Sequence, residues 1–262
     1  PFLFISIMER VEAQLTWDGV SRVVDFSNPI DISLSLKDSR NHKSASAWYV
    51  DGARFEAVRG DDFVGRVSEG GAVNFTDVYF NPHGHGTHTE CLGHITREFQ
   101  SIDKMLRGNP ILPLVPCLVQ TITPDSRGGD LVILPKHLPN TDALPEAYAI
   151  RTTPNYKSKQ TQTWSYTNPP YLDTEFTRAL VERGVKHLLI DLPSIDKEMD
   201  GGALASHKVF FGVPDAPRPV ATITEFVYIE TDVSDGLYAL NLQVAPMDLD
   251  ASPSRPVLFP LM

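Results

Sequence analysis

Short runs of β-forming residues separated by polar loops dominate the first half of the chain. Residues 22–26 and 73–80 are rich in valine and phenylalanine, which predicts strands. Apolar side chains recur every three or four residues over 95–106, which predicts a helix with one apolar stripe. Residues 110–119 then predict a buried strand interrupted by prolines.

The second half alternates strands and helical segments more regularly. Strands are predicted at 130–134 and 147–151, and a helix is predicted to begin after the N-cap residue Asp173 and to end at Gly184. The apolar run 187–191 predicts a buried strand. A helix that leads into a buried strand indicates an α/β layer with some parallel pairing. Three more strands are predicted towards the C terminus, at 225–229, 237–242 and 257–259.

Composition narrows the class of protein. The 262 residues are 42% hydrophobic and 21% charged, as in an ordinary globular protein, and no repeat or linker divides them, so one domain over residues 1–262 is predicted. The formal net charge of -10 argues against binding to nucleic acid or to an anionic membrane, because both require clustered Lys and Arg. We therefore expect a small molecule as the partner. Cys91 and Cys117 cannot form a disulfide framework, and we expect a cytoplasmic protein.

The first eight residues are apolar but give no targeting signal. They are too short to span a membrane and lack a basic leader, so we interpret them neither as a signal peptide nor as a membrane span. The sequence leaves open whether they are native, disordered or an expression remnant.

Candidate chemistry is concentrated in residues 83–94. This segment holds four of the eight histidines, His83, His85, His88 and His94, together with Glu90 and several glycines. Imidazole and carboxylate donors on short backbone, with glycines that permit left-handed turns, predict a metal site. A solvated polar loop is the alternative, and a structural zinc site is disfavoured because such sites use thiolates.

The spacing within this segment suggests different roles. His88 and Glu90 are two residues apart, so on a strand their side chains would share a face, with Thr89 on the other. His94 falls outside this repeat. It would lie beside a metal rather than on it, where a general base is useful.

The same residues resemble the signature of the cyclase-like metal-dependent hydrolases, a family that includes bacterial kynurenine formamidases and isatin hydrolases. Its pattern is His, a few residues, Gly-Thr-His or Gly-Ala-His, one residue, an acidic residue, three residues and His. Here the pattern reads His83 or His85, then residues 86–88, Glu90 and His94. Further similar segments are Arg151-Thr152, Asp191 to Asp196 (Asp-Leu-Pro-Ser-Ile-Asp), His207, Ile223-Thr224-Glu225 and Leu249 to Arg255.

The resemblance implies a fold, an assembly and a set of site residues. The family fold is a swivelling β/β/α arrangement, here a single α/β domain with a mixed central sheet, and it forms homodimers or homotetramers with zinc or manganese. By the same resemblance His88 and Glu90 are ligands, together with either His83 or His85. His207 and Glu225 complete a site for one or two ions, and His94 is the base.

Three positions depart from the family pattern. The first ligand usually stands four residues before the second, but Gly84 occupies that position, so one residue is inserted. We favour His83 as the ligand and keep His85 as the alternative. Glu90 replaces the usual Asp, and Leu92 replaces the usual Pro.

The predicted function is metal-dependent hydrolysis of an amide, formamide or lactam C–N bond, with water as the nucleophile and His94 as the base. The alternatives are a lactonase, cyclase or dehydratase that uses the same site, and a metal-binding homologue without activity. Trp48 and Tyr49 are candidates for the wall of an aromatic substrate pocket, against the alternative of a buried aromatic pair. We interpret Asp191, Ser194 and Asp196 as strand-end hydrogen-bonding residues, because no Gly-x-Ser-x-Gly motif surrounds the serine.

Overall fold

The computed structural model describes residues 12–41 and 43–262. In chain order its strands are β1 (Ala13–Trp17), β2 (Val20–Val24), β3 (Ile30–Asp31), β4 (Arg54–Ala57), β5 (Arg59–Gly60), β6 (Phe63–Val64), β7 (Thr76–Tyr79), β8 (His88–Glu90), β9 (Val115–Ile122), β10 (Asp125–Arg127), β11 (Asp130–Ile133), β12 (Ala147–Thr152), β13 (Tyr171–Leu172), β14 (His187–Ile190), β15 (Thr222–Glu225), β16 (Gly236–Val244) and β17 (Ala251–Pro260). The α-helices are α1 (Ile102–Gly108), α2 (Thr174–Glu182) and α3 (Ala205–Phe211).

Seven strands close into a mixed barrel. Their order is β16-β9-β12-β14-β15-β8-β17, and the barrel closes because β16 also pairs with β17. Strands β9, β12, β14 and β15 are parallel, whereas the remaining neighbours are antiparallel. The predicted α/β class with a mixed sheet is confirmed. The assignment of residues 1–262 to one domain stays a prediction.

Strand β12 shows how the sequence builds two apolar layers. Its small residues Ala147 and Ala149 belong to the cluster formed by alternate residues of the barrel strands, which fills the barrel interior. Its large residues Tyr148 and Ile150 point to the opposite face and join the cluster that contains Phe176 of α2. Because both faces are covered, every residue of β12 is buried. Each large apolar side chain buried here contributes about 1.5–3 kcal/mol.

Helix α2 follows the predicted signals. The Asp173 carboxylate accepts a hydrogen bond from the Glu175 N–H, and Gly184 adopts φ 97° just after the helix ends. The predicted helical segment is therefore confirmed.

The predicted helix over 95–106 is wrong in its extent. A single 3₁₀ turn, Leu92–Ile95, is followed by irregular chain, and α1 begins only at Ile102. The Ser101 hydroxyl accepts a hydrogen bond from the Lys104 N–H and caps a new helix there. Gly93 lies against the backbone of Gln100, so the chain folds back between the two helical segments.

The predicted strand over 225–229 is also wrong in its position. Strand β15 ends at Glu225, because Phe226 adopts a left-handed conformation at φ 56°. The Phe226 N–H then bonds to the Leu192 carbonyl instead of continuing the ladder. This break leaves Glu225 at the carboxyl end of a central strand.

Several other predictions differ in their bounds. The strand predicted at 73–80 is shorter, Thr76–Tyr79, whereas the one predicted at 257–259 is Ala251–Pro260. Helix α3 has no counterpart among the sequence predictions. The apolar residues 1–8 lie outside the described residues, and within the described part no helix is long and apolar enough to cross a membrane.

Residues 33–79 leave the barrel between β3 and the strand that carries the histidine motif. They form two small ribbons, β4–β7 and β5–β6, and long irregular segments. One of these segments, which includes Trp48, returns to the carboxyl ends of the parallel strands.

Candidate metal centre

The histidine motif lies on a turn and on strand β8. Gly86 adopts φ 68°, and a Cβ atom there would lie 3.1 Å from the Leu34 carbonyl oxygen, so glycine is required at this turn. His88 and Glu90 share one face of β8, as their spacing predicted. Thr89 faces the other way, where its hydroxyl lies 2.8 Å from that of Thr224.

Strand pairing brings Glu225 to His88. Strands β15 and β8 are antiparallel, with Glu225 in register with His88. The Nε2 atom of His88 lies 3.4 Å from Glu225 Oε2, and the His88 Nδ1–H donates to the Gly86 carbonyl at 3.2 Å. Both side chains are almost fully buried, so the free Nε2 lone pair points into a carboxylate-lined interior.

Helix α3 supplies His207 from the other side. The His207 Nδ1–H donates to Asp196 Oδ2 at 2.7 Å, and Asp196 also accepts the backbone N–H groups of Ser206 and His207. This arrangement leaves Nε2 deprotonated in the neutral ring and directs it to Glu90 Oε1, 2.9 Å away. A histidine whose other nitrogen donates to a carboxylate is the usual arrangement of a metal ligand.

His83 and His94 stack against each other at the edge of the site. Their ring centroids are 4.1 Å apart, and both rings donate to the same oxygen of Asp250, from His83 Nε2 at 2.8 Å and from His94 Nδ1 at 3.1 Å. The second nitrogen of each ring faces Glu90 Oε2, at 3.2 Å for His83 and 3.8 Å for His94. Glu90 is therefore central to the whole cluster.

The donor set suits a cation. Within the described residues two trios place their donor atoms within 4.8 Å of one another, His88–Glu90–Glu225 and His83–Glu90–His94, and Glu90 belongs to both. Several buried donor atoms of this cluster have no hydrogen-bond partner. These atoms are His88 Nε2, both Glu90 oxygens, His207 Nε2 and Glu225 Oε1. Unpartnered buried polar atoms are costly, and a divalent cation would satisfy them.

The electrostatics of the cluster favour positive charge. Burial opposes protonation of His83, but the hydrogen bond to Asp250 and the nearby Glu90 carboxylate outweigh it and raise the pKa of His83 to about 10. Burial also opposes protonation of His207, but the Glu90 charge outweighs it and raises the pKa of His207 well above its usual range. Burial also opposes ionisation of Glu90, yet its pKa falls well below the usual range because of His94 and His207. The carboxylates thus attract either protons or a metal ion.

His85 lies outside the donor cluster. It is buried, and its Nδ1 accepts a hydrogen bond from the Asn81 N–H at 2.9 Å. Burial lowers the pKa of His85. The structure thus places His83, rather than its alternative, beside Glu90.

A cavity of about 220 Å³ opens onto the cluster. It is lined by Trp48, Asn81, His83, His94, Ser194, Leu204, His207 and Glu225. Tyr49 is not among these residues, because its side chain points to Glu198, whose Oε1 accepts from the tyrosine hydroxyl at 2.7 Å. Trp48 and Tyr49 adopt φ 64° and 58°, conformations that cost about 1–3 kcal/mol each for residues with a Cβ.

Two site carboxylates were missed by the sequence analysis. Asp250 lies in a segment quoted for the family resemblance, and Asp196 was interpreted as a strand-end residue, which understated its contact with His207. In both cases the residue could have been identified from the sequence, because each aspartate lies in a segment that is similar to the family. Asp191 does serve the strand ends, since it accepts from the backbone and hydroxyl of Thr152 and pairs with Lys159.

Comparison with known proteins gives the class of this chain. The model of the Cyclase family matches residues 24–197, which include the histidine motif but not His207, Glu225 or Asp250. The chain belongs to the Cyclase family. Together with the two donor trios, this membership indicates a metal-dependent enzyme of the hydrolase or cyclase class.

Solved structures share the fold at low sequence identity. Isatin hydrolase A from Labrenzia aggregata, bound to benzyl benzoate, is 13% identical with a TM-score of 0.63, and the match covers 88% of this chain and 93% of that one. A protein from Bacillus stearothermophilus described as a "predicted metal-dependent hydrolase" is 16% identical with a TM-score of 0.60, covering 88% and 98%. Isatin hydrolase A from Ralstonia solanacearum is 12% identical with a TM-score of 0.60, covering 88% and 91%.

Proposed function

We propose that this protein is a metal-dependent hydrolase that cleaves an amide, formamide or lactam C–N bond in a small carbonyl substrate. One observation carries the proposal. The buried Nε2 atoms of His88 and His207 face Glu90 and Glu225, and the Nδ1–H of each ring donates to a fixed oxygen. This is a prepared set of metal ligands, and it borders a cavity that also contains His94.

We assign the cation to His88, Glu90 and Glu225, with His207 and His83 completing one site or a pair of sites. Imidazole and carboxylate donors without thiolates suit zinc or manganese. When bound, the cation polarises the substrate carbonyl and acidifies water. The two oxygens of Glu90 face different histidines, so this carboxylate would serve as a ligand in both sites if two ions bind.

His94 acts as the general base in this proposal. The Nδ1–H of His94 donates to Asp250, which leaves the Nε2 lone pair to accept a proton from the attacking water. The hydroxyl adds to the carbonyl carbon, the C–N bond breaks, and the proton on Nε2 passes to the leaving nitrogen. Asp250 holds the ring in the required tautomer and orientation, as carboxylates do for catalytic histidines.

The cavity supports a small substrate. Its volume of about 220 Å³ lies below the roughly 300–1,000 Å³ of pockets for drug-sized ligands. Trp48 and Leu204 give it apolar walls, and the ionisable groups gather at the metal end. A compact molecule with one hydrolysable carbonyl and an apolar or aromatic body suits this distribution.

Metal analysis followed by a substrate screen tests the proposal. Purified protein should contain a divalent metal by elemental analysis, lose it to a chelator, and regain activity with Zn²⁺ or Mn²⁺. The screen should include formanilide, isatin and a small lactone. Protein that takes up no metal would contradict the proposal. Turnover of the lactone alone would indicate that the site hydrolyses esters rather than amides.

Assembly and location are further predictions of this proposal. A homodimer or homotetramer should appear in light scattering after gel filtration, and a monomer would contradict that prediction. Fractionation of the native source should place the protein in the cytoplasm. Cys91 and Cys117 are both free and buried.

A further inference from the structure

Backbone strain is concentrated around the mouth of the cavity. Seven non-glycine residues among those described have positive φ. Two of them line the cavity, Trp48 and Leu204, and three more lie next to Trp48 or in a segment that contacts Tyr49. These five are Trp48, Tyr49, Tyr166, Asn168 and Leu204. Strained conformations persist only where the surroundings over-determine them, and they cluster at functional sites. Something in the structure must therefore hold these segments in place.

Glu198 is the residue at which two of these segments meet, those of Tyr49 and of Tyr166 and Asn168. Its Oε1 accepts hydrogen bonds from the Tyr49 hydroxyl at 2.7 Å and from the Tyr166 N–H at 2.6 Å. Its Oε2 accepts from the Asn168 N–H at 2.9 Å. One carboxylate thus joins three partners from two segments more than a hundred residues apart in sequence. The rings of Tyr49 and Tyr166 also touch, with centroids 4.5 Å apart.

The chain before Tyr49 is anchored to the metal site. The Ala47 N–H donates to the Gly84 carbonyl in the histidine loop at 3.1 Å, and the Trp164 N–H donates to the Ser46 carbonyl at 2.8 Å. Trp48 lies between these anchors and the tyrosine bound by Glu198. It is the aromatic residue of this segment that lines the cavity. Its backbone is held on one side by the histidine loop and on the other by Tyr49, whose N–H donates to the Ser165 hydroxyl at 3.0 Å and whose own hydroxyl donates to Glu198.

We propose that Glu198 is a positioning residue that sets substrate specificity by holding Trp48 as the wall of the cavity. The inference rests on the proposed function, because it concerns the body of the substrate rather than the bond that is cleaved. The substrate class it points to is a carbonyl compound with a flat aromatic ring. The alternative is that Glu198 only stabilises surface loops, in which case all substrates would be affected equally.

Two matched pairs of compounds separate these roles. Formanilide and N-methylformamide share a formamide bond, and isatin and 2-pyrrolidone share a lactam bond, but only the first of each pair carries an aromatic ring. The variants are Glu198→Gln, Glu198→Ala and Tyr49→Phe. Glu182→Gln and Tyr156→Phe are controls, because both residues are exposed and contribute nothing to this cluster.

The measured quantity is the ratio of kcat/KM for the ring-bearing compound to that for its ringless partner. We expect Glu198→Gln to lower this ratio by about 10-fold, chiefly through KM, since apolar pockets discriminate groups by about 10- to 200-fold. Glu198→Ala should lower it further, because glutamine retains one acceptor oxygen. Tyr49→Phe, which removes one hydrogen bond, should lower it by about 3- to 5-fold. Metal content should be unchanged, and both controls should keep the native ratio.

The outcomes distinguish this inference from the proposed function. A native enzyme that hydrolyses none of the four compounds contradicts the proposed function, and the inference falls with it. A native enzyme that hydrolyses either pair, with an unchanged ratio in Glu198→Gln and Tyr49→Phe, contradicts the inference alone. Equal losses on both members of a pair would assign Glu198 a structural role. If Glu198→Ala fails to fold, Glu198→Gln and Tyr49→Phe still test whether Glu198 sets the ratio.

Discussion

The metal-binding end of the barrel and the aromatic segments above it are built in different ways. His88, Glu90 and Glu225 lie on paired strands, are almost fully buried and are fixed by the register of β8 and β15. Trp48 and Tyr49 lie on irregular chain in left-handed conformations, and Tyr49 is half-exposed. The barrel provides fixed donor positions, whereas long-range side-chain contacts hold the aromatic wall.

This difference assigns separate tasks to the two regions. Metal ligands must be placed to within a fraction of an ångström, which regular strands and helices achieve better than loops. Recognition of the substrate body tolerates variation and is commonly carried by loops on a rigid scaffold. Changes in the barrel strands should therefore abolish metal binding and chemistry, and changes in the aromatic segments should alter selectivity.

The largest effect is expected from Glu90→Gln. Glu90 belongs to both donor trios, so its loss should remove most of the metal. Activity should then fall by more than about 10⁴-fold, beyond the range for losing a single proton-transfer group. Elemental analysis and kcat/KM measure the two effects, with Glu182→Gln as the control. Full metal content together with near-native activity would show that the strand-borne cluster is not the active centre.

His94→Ala tests the division between ligand and base. The structure places His94 both against Asp250 and within one donor trio, so the two roles make different predictions. As a base, its loss should lower kcat by roughly 10²- to 10⁴-fold while metal content stays native. As a ligand, its loss should lower metal content as well. His137→Ala, which alters a histidine distant from the cluster, is the control for general destabilisation.

The inserted residue in the histidine motif gives the next test. His83→Ala should weaken metal binding by more than about 100-fold, the upper end for losing a partner that only orients a ligand. His85→Ala should keep the metal, because that ring bonds to the Asn81 N–H and lies outside the cluster. Competition titration with a chelator measures both affinities. Stronger weakening in His85→Ala would reverse the assignment.

The sequence predicted the donor region far better than the aromatic region. The two-residue spacing of His88 and Glu90 determines a shared face on any strand, so local pattern was sufficient there. The resemblance added His207 and Glu225, which spacing alone could not connect to the motif. The barrel order and its closure depend on pairings between distant strands, and no local pattern specifies them.

The aromatic region was beyond local prediction for physical reasons. Tyr49 was grouped with Trp48 because they are adjacent, but consecutive left-handed conformations turn their side chains to different surroundings. The contacts of Tyr49 in that conformation are with distant residues, Ser165 and Glu198, the latter about 150 residues away in sequence. The prediction of one helix over 95–106 was also wrong. The apolar spacing continues past Ser101, but in the structure Ser101 caps the start of a new helix.

Asp196→Asn should give a smaller effect than loss of a direct ligand. Asp196 is not one of the proposed ligands, but it accepts from His207 Nδ1–H at 2.7 Å and fixes which nitrogen faces Glu90. Loss of such a partner typically costs about 10- to 100-fold in metal affinity or activity. Asparagine keeps the size and an acceptor oxygen, so the fold should survive. A reduction as large as that of Glu90→Gln would place Asp196 among the ligands.

The barrel also contains a buried histidine, His187, away from the donor cluster. Burial lowers the pKa of His187 on β14 to about 4, against about 6.5 for an unfolded histidine. Between these values the unfolded chain binds a proton that the folded chain does not. The free energy of unfolding should therefore fall as the pH falls from about 6.5 to about 4, by up to about 3 kcal/mol from this residue.

His187→Asn isolates that contribution and should have the smallest effect at neutral pH. His187 Nδ1 lies 2.8 Å from the Thr222 hydroxyl, and asparagine can occupy the same position with a polar atom that does not titrate in this range. Urea unfolding of native and variant protein at pH 7.5, 6.5, 5.5 and 4.5 measures it, with chelator present so that metal binding does not contribute. The native protein should lose more stability than the variant below pH 6.5, while metal content and selectivity at pH 7.5 stay native in both. Parallel stability curves would show that His187 does not titrate as its burial implies.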